Sequence, residues 1–188
     1  MTMQAERLYT VDDLRAIENL PGNEDKWFEL IRGVIYEVAR PSPLHTYIMG
    51  EIFAPMREFV RKHDLGWAFG DGHSYFLSPT DEPAPDASFV SKARQATLPE
   101  KLTIAPDLAV EIVSPSNREG EIIFKIELYL EYGTKLVWVF YPETKLVYVC
   151  RKANGGMLMQ RVPFDGELDG EDVLPGFKLA VKDVFPKE

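Results

Sequence analysis

Leu108 to Val113 reads LAVEIV, and these six residues constrain the fold more than any other stretch of the chain. Aliphatic and β-branched side chains in an unbroken run form a strand of a sheet covered on both faces. Glu111 interrupts that run. Strand alternation sets Ala109, Glu111 and Val113 on one face and Leu108, Val110 and Ile112 on the other, so the carboxylate falls among apolar neighbours. A lone buried carboxylate costs several kcal/mol, on the order of 2–7 for an unpaired polar group, unless it is paired or binds a metal. The helical run that follows is equally apolar, with Ile122, Ile123, Phe124 and Ile126, and it carries Lys125. An acid in a core strand and an amine one helix later must be explained together.

The rest of the chain supplies the frame for that strand. Thr10-Val-Asp-Asp13 has the form of a capping box, and a short helix follows it and ends before NLPGN. KWFELIRGVIYEVA reads as a hairpin turning at Arg32-Gly33. From Leu44 to His63 the apolar residues Ile48, Ile52, Phe59 and Val60 recur at helical spacing, and Pro55 inside the run is expected to kink or split the helix. GWAFGDGHSYFLSP reads as two short strands broken by glycines, and EPAPDASFVS as a strand reached through stiff, extended backbone. After the helix from Glu119 to Tyr132, closed by Gly133, come three strands: KLVWVFYP, KLVYVCRK and MLMQRV. A polar turn and a short closing segment end the chain. The pattern is α+β, a central mixed sheet flanked by helices, with residues 1–188 forming one domain.

Two further acids sit where composition predicts burial. Glu29 lies in WFELI between large apolar residues, and Asp86 precedes the strand ASFV behind Pro85. Each has an ordinary explanation taken alone. Glu29 fits an edge strand facing water, Asp86 a turn, and Glu111 a core ion pair with Lys125 or Arg118. One explanation covers all three: converging carboxylates that hold a hard divalent cation, with a lysine stabilising charge beside it.

Pro85-Asp86 followed by Glu111 in AVEIVSPS resembles the PD-(D/E)XK nuclease superfamily, in particular its Uma2-like branch, the DUF820 group. FELIRGVIYE is similar to the first hairpin of that group, PDASFV to its PD strand, PDLAVEIVSPSN to its (D/E)X strand, and KIELYLEYGTKLVWVFYP to its K…Y…GV.EYW.VDP segment. The resemblance spans nearly the whole chain. It implies a restriction-endonuclease-like core and an endonuclease that hydrolyses phosphodiester bonds in DNA with Mg²⁺ or Mn²⁺. The superfamily lysine stands two residues after the acid, where this chain has Val113; in the Uma2-like branch it has moved to the following helix, which implies Lys125. By resemblance Asp86 and Glu111 ligate the metal with the main-chain carbonyl of Ile112, Glu29 is a further ligand or water holder, and Lys125 stabilises charge. Glu121 lies one turn before Lys125 and is expected to pair with it. Arg32 and Tyr141 depart from the pattern, each standing where the family favours Asp. Related nucleases act as homodimers, and the apolar strands from Lys135 to Val162 offer a surface for one. The alternative is a non-catalytic binding module of the same fold.

Composition and the remaining motifs bound these readings. A net charge of −9 speaks against a wide basic footprint for nucleic acid and sides with the non-catalytic alternative. The lone Cys150 excludes an internal disulfide framework, fits a reducing compartment and reads as a small strand hydrophobe. No apolar run reaches about eighteen residues, and MTMQAERLYT lacks the form of a signal peptide, so the expected location is cytoplasmic. His45 reads as a cap or pocket residue, and His63 and His73 as surface and loop residues. Ser114 and Ser116 have no histidine base in a matching motif, and SPSN reads as a helix-entry turn.

Overall fold

The computed structural model describes residues 7–114 and 119–187. Helix α1 (Val11–Glu18) begins with the expected capping box, Thr10 and Asp13 each bonding the other's backbone amide. Strands β1 (Trp27–Ile31) and β2 (Val34–Val38) form an antiparallel hairpin with Ile31 opposite Val34. Its two-residue turn puts both Arg32 (φ 51°) and Gly33 (φ 74°) in the left-handed region, as a primed hairpin turn demands. A Cβ on Gly33 would also lie 2.7 Å from that of Leu8.

Helix α2 (Pro43–Lys62) starts from a Ser42 cap with Pro43 in its first turn and runs unbroken through Pro55. The split that Pro55 suggests does not occur. The carbonyl deprived of a partner belongs to Glu51, an exposed position where water can bond it. Strands β3 (Gly66–Phe69), β4 (Ala87–Ser91), β5 (Leu108–Ile112), β6 (Leu136–Tyr141), β7 (Leu146–Ala153) and β8 (Gly156–Val162) make one sheet in chain order. It is mixed: β5 and β6 run parallel, joined across helix α3 (Glu119–Glu131), and every other neighbouring pair is antiparallel. The α+β fold read from the sequence is the fold observed.

Alternation along β5 divides the core as the sequence implies. Leu108, Val110 and Ile112 pack with Ile48, Ile52 and Met56 of α2, while Ala109 packs with Ile122, Ile126 and Tyr129 of α3. A small antiparallel pair, β9 (Glu167–Asp169) with β10 (Lys178–Ala180), and helix α4 (Val181–Val184) add Leu168, Leu179 and Val184 to the α2 side.

Two expectations need correction. GWAFGDGHSYFLSP yields only β3, because the later backbone spends its amides on separate partners: Tyr75 on the Pro83 carbonyl (2.9 Å), Phe76 on Leu102 (2.8 Å) and Leu77 on Asp81 (3.0 Å). The polar turn near the end of the chain is in fact β9, too short for periodicity to reveal. Residues 115–118, which include Ser116, Arg118 and most of the expected SPSN turn, lie outside the described residues. Cys150 is buried, as expected of a strand hydrophobe. No helix among the described residues is long and apolar enough to cross a membrane.

Candidate active site

Glu111 leaves β5 on the side covered by α3, and that helix answers it with two residues one turn apart. The Lys125 ammonium lies 2.8 Å from Glu111 Oε2, and the Tyr129 hydroxyl donates to Glu111 Oε1 at 2.8 Å. Spacing of i and i+4 on an α-helix sets both on one face. From the hairpin, Glu29 brings a second carboxylate to the same ammonium. Nζ is 3.1 Å from Oε1 and 3.0 Å from Oε2, but only the first contact has hydrogen-bond geometry, so Oε2 pairs through charge alone. Lys125 also donates to the Ala84 carbonyl at 3.1 Å. Lys125 thus donates hydrogen bonds to Glu29 and Ala84 and pairs by charge with Glu111.

Asp86 is pinned at the start of β4 by its own amide, which donates to the Val110 carbonyl at 3.0 Å. Its Oδ2 accepts the Ile112 amide at 2.6 Å, and Oδ1 stands 3.1 Å from His45 Nε2 at the start of α2. The contact that Ile112 makes here is through its amide. Glu29, Asp86, Glu111, Ile112 and Lys125 all line one cleft of about 450 Å³, together with His45. The hairpin, β4, β5 and α3 therefore bring all four acid and amine positions singled out in the sequence to one place. The core ion pair between Glu111 and Lys125 and the shared site are the same object.

Glu29 and Glu111 share one ammonium with Asp86 in the same cleft, and the surplus of negative charge shows in the proton affinity of Glu111. Burial pushes the Glu111 carboxyl up to about 8, Asp86 and Glu29 add to the rise, and Lys125 only partly offsets it. Burial opposes the charge on Lys125, but Glu111 and Glu29 outweigh it and hold the group firmly as an ammonium. His45 is raised as well: burial works against its charge, and the bond to Asp86 prevails. Tyr129 is driven well above its ordinary range by burial and by the Glu111 charge, which keeps it a phenol able to donate.

The Uma2 profile, described as "Putative restriction endonuclease", matches residues 11–182. The chain belongs to the Uma2 family. Among solved structures it is similar to one described as a "putative nuclease belonging to DUF820" from Anabaena variabilis, with 23% identity, 94% of this chain and 97% of that one covered, and a TM-score of 0.80. That likeness shows a shared fold. No match is found among curated proteins.

Within this Uma2 chain the structure adds what the sequence missed. Tyr129 reads as one more apolar residue of α3, and its only signal is the four-residue step from Lys125. His45 takes the pocket position expected of it. His63 is exposed as expected, but His73 is half-buried, with Nε2 3.2 Å from Ser88 Oγ and burial holding its pKa down. Arg32 stands away from the cleft, its guanidinium 2.8 Å from Glu131 and 3.6 Å from Glu127. Among the described residues no three acidic, histidine or cysteine side chains are spaced to hold an ion as they stand. Asp86 is occupied by His45 and the Ile112 amide, and Glu111 by Lys125 and Tyr129.

Proposed function

We propose that this protein is a Mg²⁺- or Mn²⁺-dependent endonuclease that hydrolyses phosphodiester bonds in DNA in the cytoplasm. The observation that carries this reading is the gathering of Glu29, Asp86 and Glu111, from three separate elements, in one solvent-connected cleft, where Glu29 and Glu111 pair with the buried Lys125 ammonium. The nuclease descriptions of the Uma2 family and of the similar Anabaena variabilis protein point the same way.

The donor set suits a hard cation, since it offers only oxygens, and an ion bound there would displace the proton that Glu111 otherwise holds. Asp86 and Glu111, with the Ile112 carbonyl, would hold it, each carboxylate exchanging one present partner for the ion. Such an ion, when bound, neutralises phosphate charge and acidifies water. Glu29 accepts from Lys125 and is placed to hold a water beside it. Lys125 supplies a fixed positive charge against the negative charge that develops on the phosphoryl oxygens. Tyr129 orients Glu111, and His45 orients Asp86 by donating from Nε2 to Oδ1.

One observation favours the non-catalytic reading. Lys125 is already held inside the protein by Glu111, Glu29 and the Ala84 carbonyl, as in a purely structural ion cluster. Incubating wild-type protein and Asp86→Asn with supercoiled and single-stranded DNA, in Mn²⁺ and in EDTA, separates the two. Metal-dependent cleavage by wild type only is expected; cleavage by both proteins, or by neither, rejects the nuclease reading. We also propose a homodimer formed through β6–β8, where β8 is the outer strand and exposes Leu158.

A further inference from the structure

Of the three tryptophans, Trp138 is fully buried, and Trp67 is half-buried with its indole N–H donating to the Gln95 carbonyl. Trp27 is 49% exposed and lines the cleft that holds the carboxylate cluster. It opens β1, two residues before Glu29. Alternation turns both side chains to the same face, about 7 Å apart along the strand. A large rigid ring half open to water beside a charged cleft offers a flat surface to a ligand with a π-face.

The depth and charge of the cleft say which ligand fits. The side chains of Glu111 and Lys125 are only 4% and 10% exposed, so a reacting phosphate must descend to reach them. About 450 Å³ is space for one group of small-molecule size; pockets for such ligands run from about 300 to 1,000 Å³. A single strand, free to bend, can bring its phosphate down more readily than a base-paired duplex can. Glu18, Glu24 and Asp71 also line the cleft, against one further cation, Lys26, which is itself paired with Glu37, and this acidic surplus opposes the two phosphate rows of a duplex more than the single row of one strand.

Resting on the nuclease reading, we infer that the substrate is DNA unpaired at the scissile position, a single strand or the single-stranded part of a junction, and that Trp27 positions it by stacking a base. Base–aromatic stacking tolerates any sequence and adds affinity base by base.

The test measures binding apart from cleavage, by fluorescence anisotropy of a labelled oligonucleotide with Ca²⁺ in place of Mg²⁺. Wild type should bind the single strand at least tenfold more tightly than the blunt duplex of the same sequence. Trp27→Ala should weaken single-strand binding about five- to tenfold, toward the lower end of one base–aromatic stack, and Trp27→Phe by less than about threefold. An abasic residue stepped along the strand should cancel the Trp27→Ala penalty at one position. Circular dichroism melts check that both variants fold. Equal affinity for duplex and single strand, no binding to either, no penalty in Trp27→Ala, or a penalty unchanged by every abasic residue overturns the inference. The cleavage reading fails separately. A protein that cuts duplex DNA equally well with and without Trp27 keeps the nuclease assignment and loses this one. A protein that binds single strands through Trp27 but cuts nothing does the reverse.

Discussion

Replacing Glu111 by glutamine should make the protein more stable at alkaline pH and leave it nearly unchanged in mild acid. Glutamine keeps the volume and an acceptor for the Tyr129 hydroxyl, and removes the charge. The folded-state carboxyl titrates near 8 against an ordinary 4.5. Between those values the native state therefore holds more protons than the unfolded chain, and stability falls as pH rises. At about 1.4 kcal/mol per unit, wild type should lose about 3–4 kcal/mol between about pH 5 and pH 8 from this group alone. Breaking a buried pair ordinarily costs about 3–5 kcal/mol, because it orphans the partner charge. Here Lys125 keeps Glu29, 3.0 Å away, so the ammonium is not orphaned and relief of the surplus carboxylate wins. Urea denaturation of both proteins in EDTA, at several pH values, isolates Glu111 in the difference between the two curves. A difference that stays constant with pH, or a glutamine variant weaker than wild type at about pH 8, would refute the reasoning.

Lys125→Met should destabilise the fold by about 3–5 kcal/mol at alkaline pH, where the Glu111 carboxyl ionises, since Glu29 and Glu111 both lose their counter-charge. The double variant with Glu111→Gln should recover part of that loss in the same denaturation assay. Cleavage by Lys125→Met should fall by about two to three orders of magnitude in a plasmid-nicking assay, the scale of losing one preorganised charge. Tyr129→Phe should leave Mn²⁺ binding measurable by isothermal titration but lower cleavage, because Glu111 loses the donor that fixes its orientation. Light scattering at tens of micromolar should give the mass of a dimer, and Leu158→Arg on the outer strand should give that of a monomer.

The sequence made the site legible because burial is expensive for a carboxylate. Glu29, Asp86 and Glu111 stand out among apolar neighbours, and the structure gathers all three in one cleft with Lys125. The hairpin turn and the two faces of β5 were equally legible, since Gly33 and period-2 alternation act locally. Partners that look ordinary in sequence were hidden. Tyr129 passes for a core aromatic, and the Ala84 carbonyl has no side-chain signature at all. From helix propensity alone Lys125 is replaceable; only the two carboxylates pressed against it show otherwise. The second strand expected after β3 failed because a run of suitable residues does not reveal where its backbone bonds will go. Tyr75, Phe76 and Leu77 each bond a different segment.

The hairpin that carries Glu29 is a two-stranded sheet of its own, outside the six-stranded sheet that carries Asp86 and Glu111. It is tied instead to the 78–82 loop, through the Leu30–Glu82 bridge, the Gly33 amide on the Thr80 carbonyl (2.9 Å) and the Arg32 amide on Asp81 (2.7 Å). Two-stranded hairpins are marginal by themselves, and such pieces open as cooperative units below the free energy of global unfolding. The Lys125 ammonium is then a clasp between two units of unequal thermal resilience. On gentle heating the clasp should release while the large sheet persists, so hydrogen exchange should rise first at the amides of residues 27–38. Loss of function would then precede loss of fold, and cooling would restore both in the opposite order.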